Sequence, residues 1–446
     1  MLLHDLPLFF RGSIYAWFPA HVASAELVDA LWCLAYAMRL RIRPINGLLA
    51  LAIVGAGICV AESRIFQIDY PKPQVNRTSQ QASSLEQRIH RVEVGLVALD
   101  QPKSKAPTPT SLIDRMHHYK VPGVSIAVID NGKIDWARGY GLAEAGTTRN
   151  VEIDTLFQAA SISKPVTAMA ALHFVEEEKL SLDEDVNRKL LSWKVPENQY
   201  TQTEKVTLRR ILSHTAGFTV HGFAGYTISE QVPTLLDILE GRKPANSDPI
   251  RVDFTPGSKM RYSGGGFCVL RQVLVDVTGK PFPVIMQETV LNKLGMTHST
   301  YDQPLPKTVR EYAATGHGQD GLPLAGRWHV YPEMAPDGLW TTPSDLAIFV
   351  IEMLKSREGK SNRVLSESMT RQMLAPQIDG MGLGVFTNQS ASPFYHGGDN
   401  SGFLCLLVGF ADSRKGAVIM TNSDNATDLI VEIVHSIAAE YGFPPE

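Results

Sequence analysis

The stretch that decides the reading is Phe157-Gln-Ala-Ala-Ser-Ile-Ser-Lys-Pro-Val-Thr-Ala-Met169. A helix that begins near Ser161 puts Lys164 at i+3, on the same face. A serine hydroxyl is a poor nucleophile unless a neighbour takes its proton. Lysine can take it if burial lowers its pKa from about 10.4 toward neutrality. The helix N-terminus offers free backbone N–H groups to a developing oxyanion. Pro165 suits the start of a helix, where a missing N–H costs least. Alone, Ser-x-x-Lys is a short motif, and a capped helix with a surface lysine would look the same.

The surroundings carry more. Val121-Pro-Gly-Val-Ser-Ile-Ala-Val128 is followed by Asn131-Gly132-Lys133, an apolar strand and a hairpin turn. Leu212-Ser-His-Thr-Ala-Gly-Phe218, Pro256-Gly-Ser-Lys-Met-Arg-Tyr-Ser-Gly264 and Gly338-Leu-Trp-Thr-Thr-Pro-Ser-Asp-Leu346 come next in order. His396-Gly397-Gly398 stands just before the long apolar run Gly402–Ala411. In order and spacing, residues 111–441 resemble the serine β-lactamase-like superfamily, in its class C β-lactamase, esterase and penicillin-binding protein branch.

The resemblance implies roles. Ser161 attacks a carbonyl and forms an acyl-enzyme. Lys164 and Tyr262 share the proton traffic. The backbone N–H groups of Ser161 and Asp399 form the oxyanion hole. His396, Gly397 and Gly398 take the place of the family's third motif, Lys-Thr-Gly. Gly264 stands where the second motif, Tyr-x-Asn, has Asn. An imidazole is half-charged only near pH 6.5, whereas lysine holds a carboxylate as a permanent cation. Both departures weaken the case for a penicillin or cephalosporin as natural substrate, and a His at the third motif resembles the esterase and peptidase members of the family. His214 reads as a framing residue, and Asp154, Asp345 and Asp399 are not read as catalytic carboxylates. The glycine cluster Gly264-Gly-Gly266 reads as a site-shaping turn before a helix.

The fold class expected is α+β: an antiparallel sheet flanked by helices, plus a mostly helical subdomain. Strand patterns at 124–139 and 402–421 suggest a sheet built from both chain ends, over about 111–170 and 345–446. The helical part spans about 170–345. Asp428–Tyr441 reads as a closing amphipathic helix.

Ahead of the body, residues 65–110 read as a proline-marked linker. Within it Leu85, Ile89, Val92, Leu96 and Leu99 have helical spacing. That helix either lies on the main domain or pairs with a partner chain. Residues 38–64 read as a signal peptide or membrane anchor, with Arg39, Arg41 and Arg43 before the apolar run Ile45–Ala61. Such charges put the body outside the cytoplasm, periplasmic or secreted. Residues 1–37 read as an extension, with Met38 an alternative start.

Bulk properties exclude several classes. The chain is 44% hydrophobic and 20% charged, with a formal net charge of −4 and no long basic run, which argues against nucleic acid. Cys33, Cys59, Cys268 and Cys405 lack metal or disulfide spacing. No metal or organic cofactor is implied. GxSxG, P-loop, GxGxxG and HExxH motifs are missing. The expected partner is a small ester, amide or peptide substrate. A β-lactamase or D-alanyl peptidase, and a non-catalytic binding protein on the same fold, are the alternatives.

Overall fold

The structure, a computed structural model, describes residues 80–100 and 108–444. The expected extension and the signal or anchor segment lie outside the described residues. Among the described residues no helix is long and apolar enough to cross a membrane.

The chain opens with helix α1 (Gln80–Val94). The short strands β1 (Leu96–Val97) and β2 (Pro109–Thr110) pair antiparallel, and helix α2 (Leu112–Tyr119) follows, capped by the Ser111 hydroxyl. The expected periodicity ran on to Leu99, but the helix stops at Val94. Its Arg91 reaches Glu440 at 2.7 Å, and the Val92 carbonyl accepts from Ser436 Oγ. Of the two readings of this helix, packing on the main body is the one observed.

The sheet is six-stranded, antiparallel and ordered β4-β3-β10-β9-β8-β7. Strands β3 (Gly123–Asp130) and β4 (Lys133–Gly141) come from the front of the body. Strands β7 (Phe386–Thr387), β8 (Phe394–Asn400), β9 (Phe403–Phe410) and β10 (Lys415–Thr421) come from the back. The two ends meet where β10 pairs β3, with Val418 opposite Ala127. The β3–β4 turn is Asn131-Gly132, both at positive φ, as a tight hairpin with native twist needs. Every residue of β9 is buried, so both sheet faces are covered.

Between these ends lies the helical part. Strand β5 (Phe157–Gln158) leads through a 3₁₀ turn, Ala160–Ile162, into α3 (Ser163–Glu176). Helix α3 is buried nearly all round, as the central helix of a large core is. Helices α4 (Leu208–Leu212), α5 (Leu235–Glu240) and α6 (Gly264–Thr278) follow. After β6 (Trp340–Thr341) come α7 (Pro343–Arg357), which packs on the sheet, and α8 (Glu367–Leu374). Helix α9 (Thr427–Tyr441) closes the body.

A buried ionic knot ties the two chain ends. Glu432 on α9 is fully buried and accepts from Arg115 Nε at 2.8 Å, from the Tyr119 hydroxyl at 2.8 Å and from the Leu99 N–H at 2.9 Å. Removing one partner of such a pair leaves an uncompensated buried charge. Glu432→Ala is expected to cost about 3 kcal/mol of stability. Urea unfolding of the purified variant checks this, and a change within error of zero contradicts it.

Candidate active site

The 3₁₀ turn carries Ser161. Ala160 just before it sits at φ 47°, a left-handed conformation that costs a non-glycine residue about 1–2 kcal/mol. The strain is held in place by neighbours. The Ala159 N–H donates to the Leu339 carbonyl at 2.8 Å, and the Ala160 carbonyl accepts from Ser163 Oγ at 2.6 Å. The result is a serine presented on a sharp turn, with α3 starting directly behind it.

Lys164 lies on the first turn of α3 and is fully buried. Its Nζ donates to Ser161 Oγ at 2.8 Å and to the Pro336 carbonyl at 3.2 Å. It also faces Asp337 Oδ1 at 3.4 Å. Ser161 Oγ in turn donates to the same Asp337 oxygen at 3.0 Å. Serine, lysine and aspartate thus form a closed triangle.

The expectation that burial lowers the Lys164 pKa is corrected by this triangle. Burial does pull the ammonium down. Asp337, with Tyr262, more than offsets it, and Lys164 ends above its ordinary value. A buried ammonium 3.4 Å from a carboxylate keeps its proton.

Asp337 is the residue that sequence reasoning missed. It lies immediately before the quoted segment Gly338–Leu346, and a carboxylate between Pro336 and Gly338 was the available signal. Its contact with Ser161 spans 176 positions, so no local spacing reveals it.

Tyr262 precedes the Ser263 cap of α6. Its ring is half-buried, and its hydroxyl interacts with Lys164 and Ser161. Burial raises its pKa, against the pull of Lys164 and Ser161, so Tyr262 is a neutral phenol at pH 7. Lys164 Nζ stands 4.9 Å from the ring centre. The His214 ring packs on the other part of Tyr262, with centroids 4.3 Å apart, and its Nδ1 accepts from the Ser263 N–H. His214 therefore braces Tyr262 and has no hydrogen bond to Ser161.

The glycine cluster is not a turn before the helix. Gly264, Gly265 and Gly266 are the first turn of α6 itself. The segment 219–221 lies against them, and a Cβ at Gly265 would come within 2.8 Å of the Thr219 carbonyl. The N–H groups of Gly264 and Gly265 donate to the His221 and Val220 carbonyls. A Cβ at Gly264 would come within 3.1 Å of the His221 carbonyl and of the Phe223 ring.

Strand β8 brings the third motif alongside. Its partner β7 pairs only as far as Tyr395, so from His396 onward no strand among the described residues lies beside that edge. Gly398 passes the Ser161 turn so closely that a Cβ would sit 2.3 Å from the Ala159 carbonyl. Asp399 follows on the same edge, its side chain exposed. Gly397 lies opposite Leu406. His396 is fully buried, and its Nδ1 lies 2.6 Å from the Gly397 carbonyl. Burial first, then the charge on Lys164, pushes its pKa down to about 3. The sequence left its charge open. The structure makes it a neutral imidazole at pH 7. Among the described residues no cluster of His, Cys, Asp and Glu is gathered for a metal ion.

The beta-lactamase family profile matches residues 110–436. The chain belongs to the beta-lactamase family. Among curated relatives, Protein flp of Staphylococcus aureus is 24% identical over 68% of the chain. A beta-lactamase of Pseudomonas fluorescens is 27% identical over 53% of the chain. Each match spans 60% of the relative's own length. The D-alanine carboxypeptidase AmpC of Burkholderia cenocepacia shares the fold, with TM-score 0.60, 18% identity, and coverage of 80% of this chain and 99% of that one. The α+β sheet with its helical part is therefore the beta-lactamase fold.

The neutral His396 has a measurable consequence. The unfolded chain binds a proton there near pH 6.5, which the folded chain refuses until about pH 3. Stability therefore falls as pH drops below 6.5, by up to about 1.4 kcal/mol per pH unit for this group. Between pH 6.5 and 5, His396→Gln is expected to lose about 2 kcal/mol less stability than the wild type. Equal losses in urea titrations at the two pH values contradict it.

Proposed function

We propose that this protein is a serine hydrolase that cleaves an ester or amide through an acyl-enzyme on Ser161, with uncharged, ester-like substrates favoured. The observation that carries the reading is the 2.8 Å contact between Ser161 Oγ and the buried Lys164 Nζ. A surface lysine on a capped helix would have no such contact. A buried cation against a serine oxygen stabilises the alkoxide that attack creates.

In the reaction proposed, Ser161 Oγ bonds to the substrate carbonyl carbon. The oxyanion is held by the backbone N–H groups of Ser161 and Asp399. Collapse expels the leaving group, which takes a proton from the Lys164 and Tyr262 side. Water then attacks the acyl group and frees Ser161.

Two features support an uncharged acyl substrate. His396 is neutral at pH 7, so the third motif supplies no cation for a carboxylate. Gly264 supplies no amide toward the substrate, and a side chain there would crowd Phe223. The arginines ahead of the apolar run Ile45–Ala61 support an extracytoplasmic address for the body.

A second reading, hydrolysis of a β-lactam or a D-alanyl peptide, is favoured by the relatives' names: a beta-lactamase and a D-alanine carboxypeptidase. The full-length chain is expected to hydrolyse a short-chain p-nitrophenyl ester, and Ser161→Ala to lose at least about 10³-fold in kcat/KM. Undiminished turnover in Ser161→Ala contradicts the nucleophile. Rapid, stable labelling of Ser161 by a fluorescent penicillin would shift the substrate to the second reading. Absence of label keeps it with the esters.

A further inference from the structure

The proposed mechanism needs a base for the Ser161 proton, and a lysine that stays charged does not supply one. The hydrogen-bond directions point elsewhere. Lys164 Nζ donates to Ser161 Oγ, so that oxygen's own hydrogen is free to go to its other partner. That partner is Asp337 Oδ1, at 3.0 Å.

Asp337 is built into place. It ends the turn 333–338, where the Gly338 N–H donates to the Met334 carbonyl at 2.6 Å and Met334 sits at φ 54°. A Cβ at Gly338 would come within 2.6 Å of Met334 Cα, so the turn closes only with glycine. The Asp337 carbonyl accepts from Asn400 on β8, whose amide also reaches Gln158 at 2.8 Å. The carboxylate is therefore locked between the serine turn and the strand of the third motif. Its Oδ1 meets both Ser161 and Lys164, and its Oδ2 is buried with no hydrogen-bond partner among the described residues. A buried carboxylate oxygen without a partner costs about 1–3 kcal/mol or more.

We propose that Asp337 is a catalytic residue that takes the proton of Ser161 during attack, while Lys164 stays charged through that step and then protonates the leaving group. The inference rests on Ser161 being the nucleophile. In acylation the Oγ–carbon bond forms and the Oγ proton passes to Asp337 Oδ1. The bond to the leaving group then breaks, and the leaving group takes a proton from Lys164. Asp337 returns its proton to Lys164 across 3.4 Å, which restores the pair. In deacylation, water gives its proton to Asp337, departing Ser161 Oγ takes one from Lys164, and Asp337 again returns its proton to Lys164. Each half-reaction balances without any other reagent.

The groups around the pair leave this assignment intact. Tyr262 is a neutral phenol. His214 and His396 are held neutral by burial and by the charge of Lys164, and His221 is shifted the same way. Glu333, behind Asp337, is fully buried and its carboxyl is pushed up to about 8 by that burial. Asp337 is the carboxylate in hydrogen-bond contact with the nucleophile.

The two possible bases predict opposite signs, which makes the test sharp. The full-length wild type, Asp337→Asn and Ser161→Ala are assayed with a p-nitrophenyl ester from pH 6 to 9.5, with Ser161→Ala setting the background. If Asp337 is the base, wild-type kcat/KM shows no sustained tenfold-per-unit climb between about pH 6.5 and 9. Asp337→Asn then falls at least about 100-fold at pH 7.5. If Lys164 is the base, wild-type kcat/KM climbs tenfold per unit through pH 9. Asp337→Asn, freed of the carboxylate, then becomes equal or faster at pH 7.5. That result overturns the proposal and leaves the nucleophile standing. Hydrolysis that survives in Ser161→Ala overturns both. Should Asp337→Asn fail to fold by thermal melt, the wild-type profile alone decides, by the presence or absence of that climb.

Discussion

An ammonium group cannot be buried without partners, and Lys164 is fully buried. Water's share of its solvation has to be replaced by fixed oxygens. Its oxygen partners include Ser161 Oγ, the Pro336 carbonyl and the Asp337 carboxylate. They come from two distant parts of the chain. The need to solvate one cation therefore dictates where the turn 333–338 lies relative to α3. That turn then fixes β6 and, through Asn400, the end of β8.

The strain in the site follows from the same constraint. Ser161 must reach both Lys164 and Asp337, and its turn pays with a left-handed Ala160. The surroundings hold it there. Ala159 is pinned by Leu339, and the Cys405 thiol donates to its carbonyl at 3.1 Å. Gly398 leaves just enough room for β8 to pass. The sheet built from the two chain ends thus brings an open strand edge to the nucleophile. Tyr262 closes the other side, wedged by His214 and capped into α6 by Ser263.

Local patterns made much of this legible in the sequence. Asn131-Gly132 demands a hairpin, and the apolar runs on either side become β3 and β4. The 428–441 periodicity gives α9 to within a residue. The i+3 spacing brings Lys164 to Ser161 because helix geometry leaves no alternative. What escaped was set by tertiary contact. The glycine cluster continues α6 because the 219–221 segment, not a turn preference, claims its N–H groups. The 85–99 periodicity breaks at Val94, where β1 finds a partner in β2. The state of His396 depends on complete burial beside a cation, which no spacing encodes. Asp337 was invisible for the same reason: its role exists only once the fold brings it to Ser161.

The central claim is that Ser161 is a nucleophile that becomes covalently acylated. The most direct test is intact-protein and peptide mass spectrometry of the full-length chain after brief exposure to a small activated ester or a fluorophosphonate. The account predicts a single adduct, on the peptide that contains Ser161, and none in Ser161→Ala. No adduct with either reagent, or an adduct on any other residue, would contradict it.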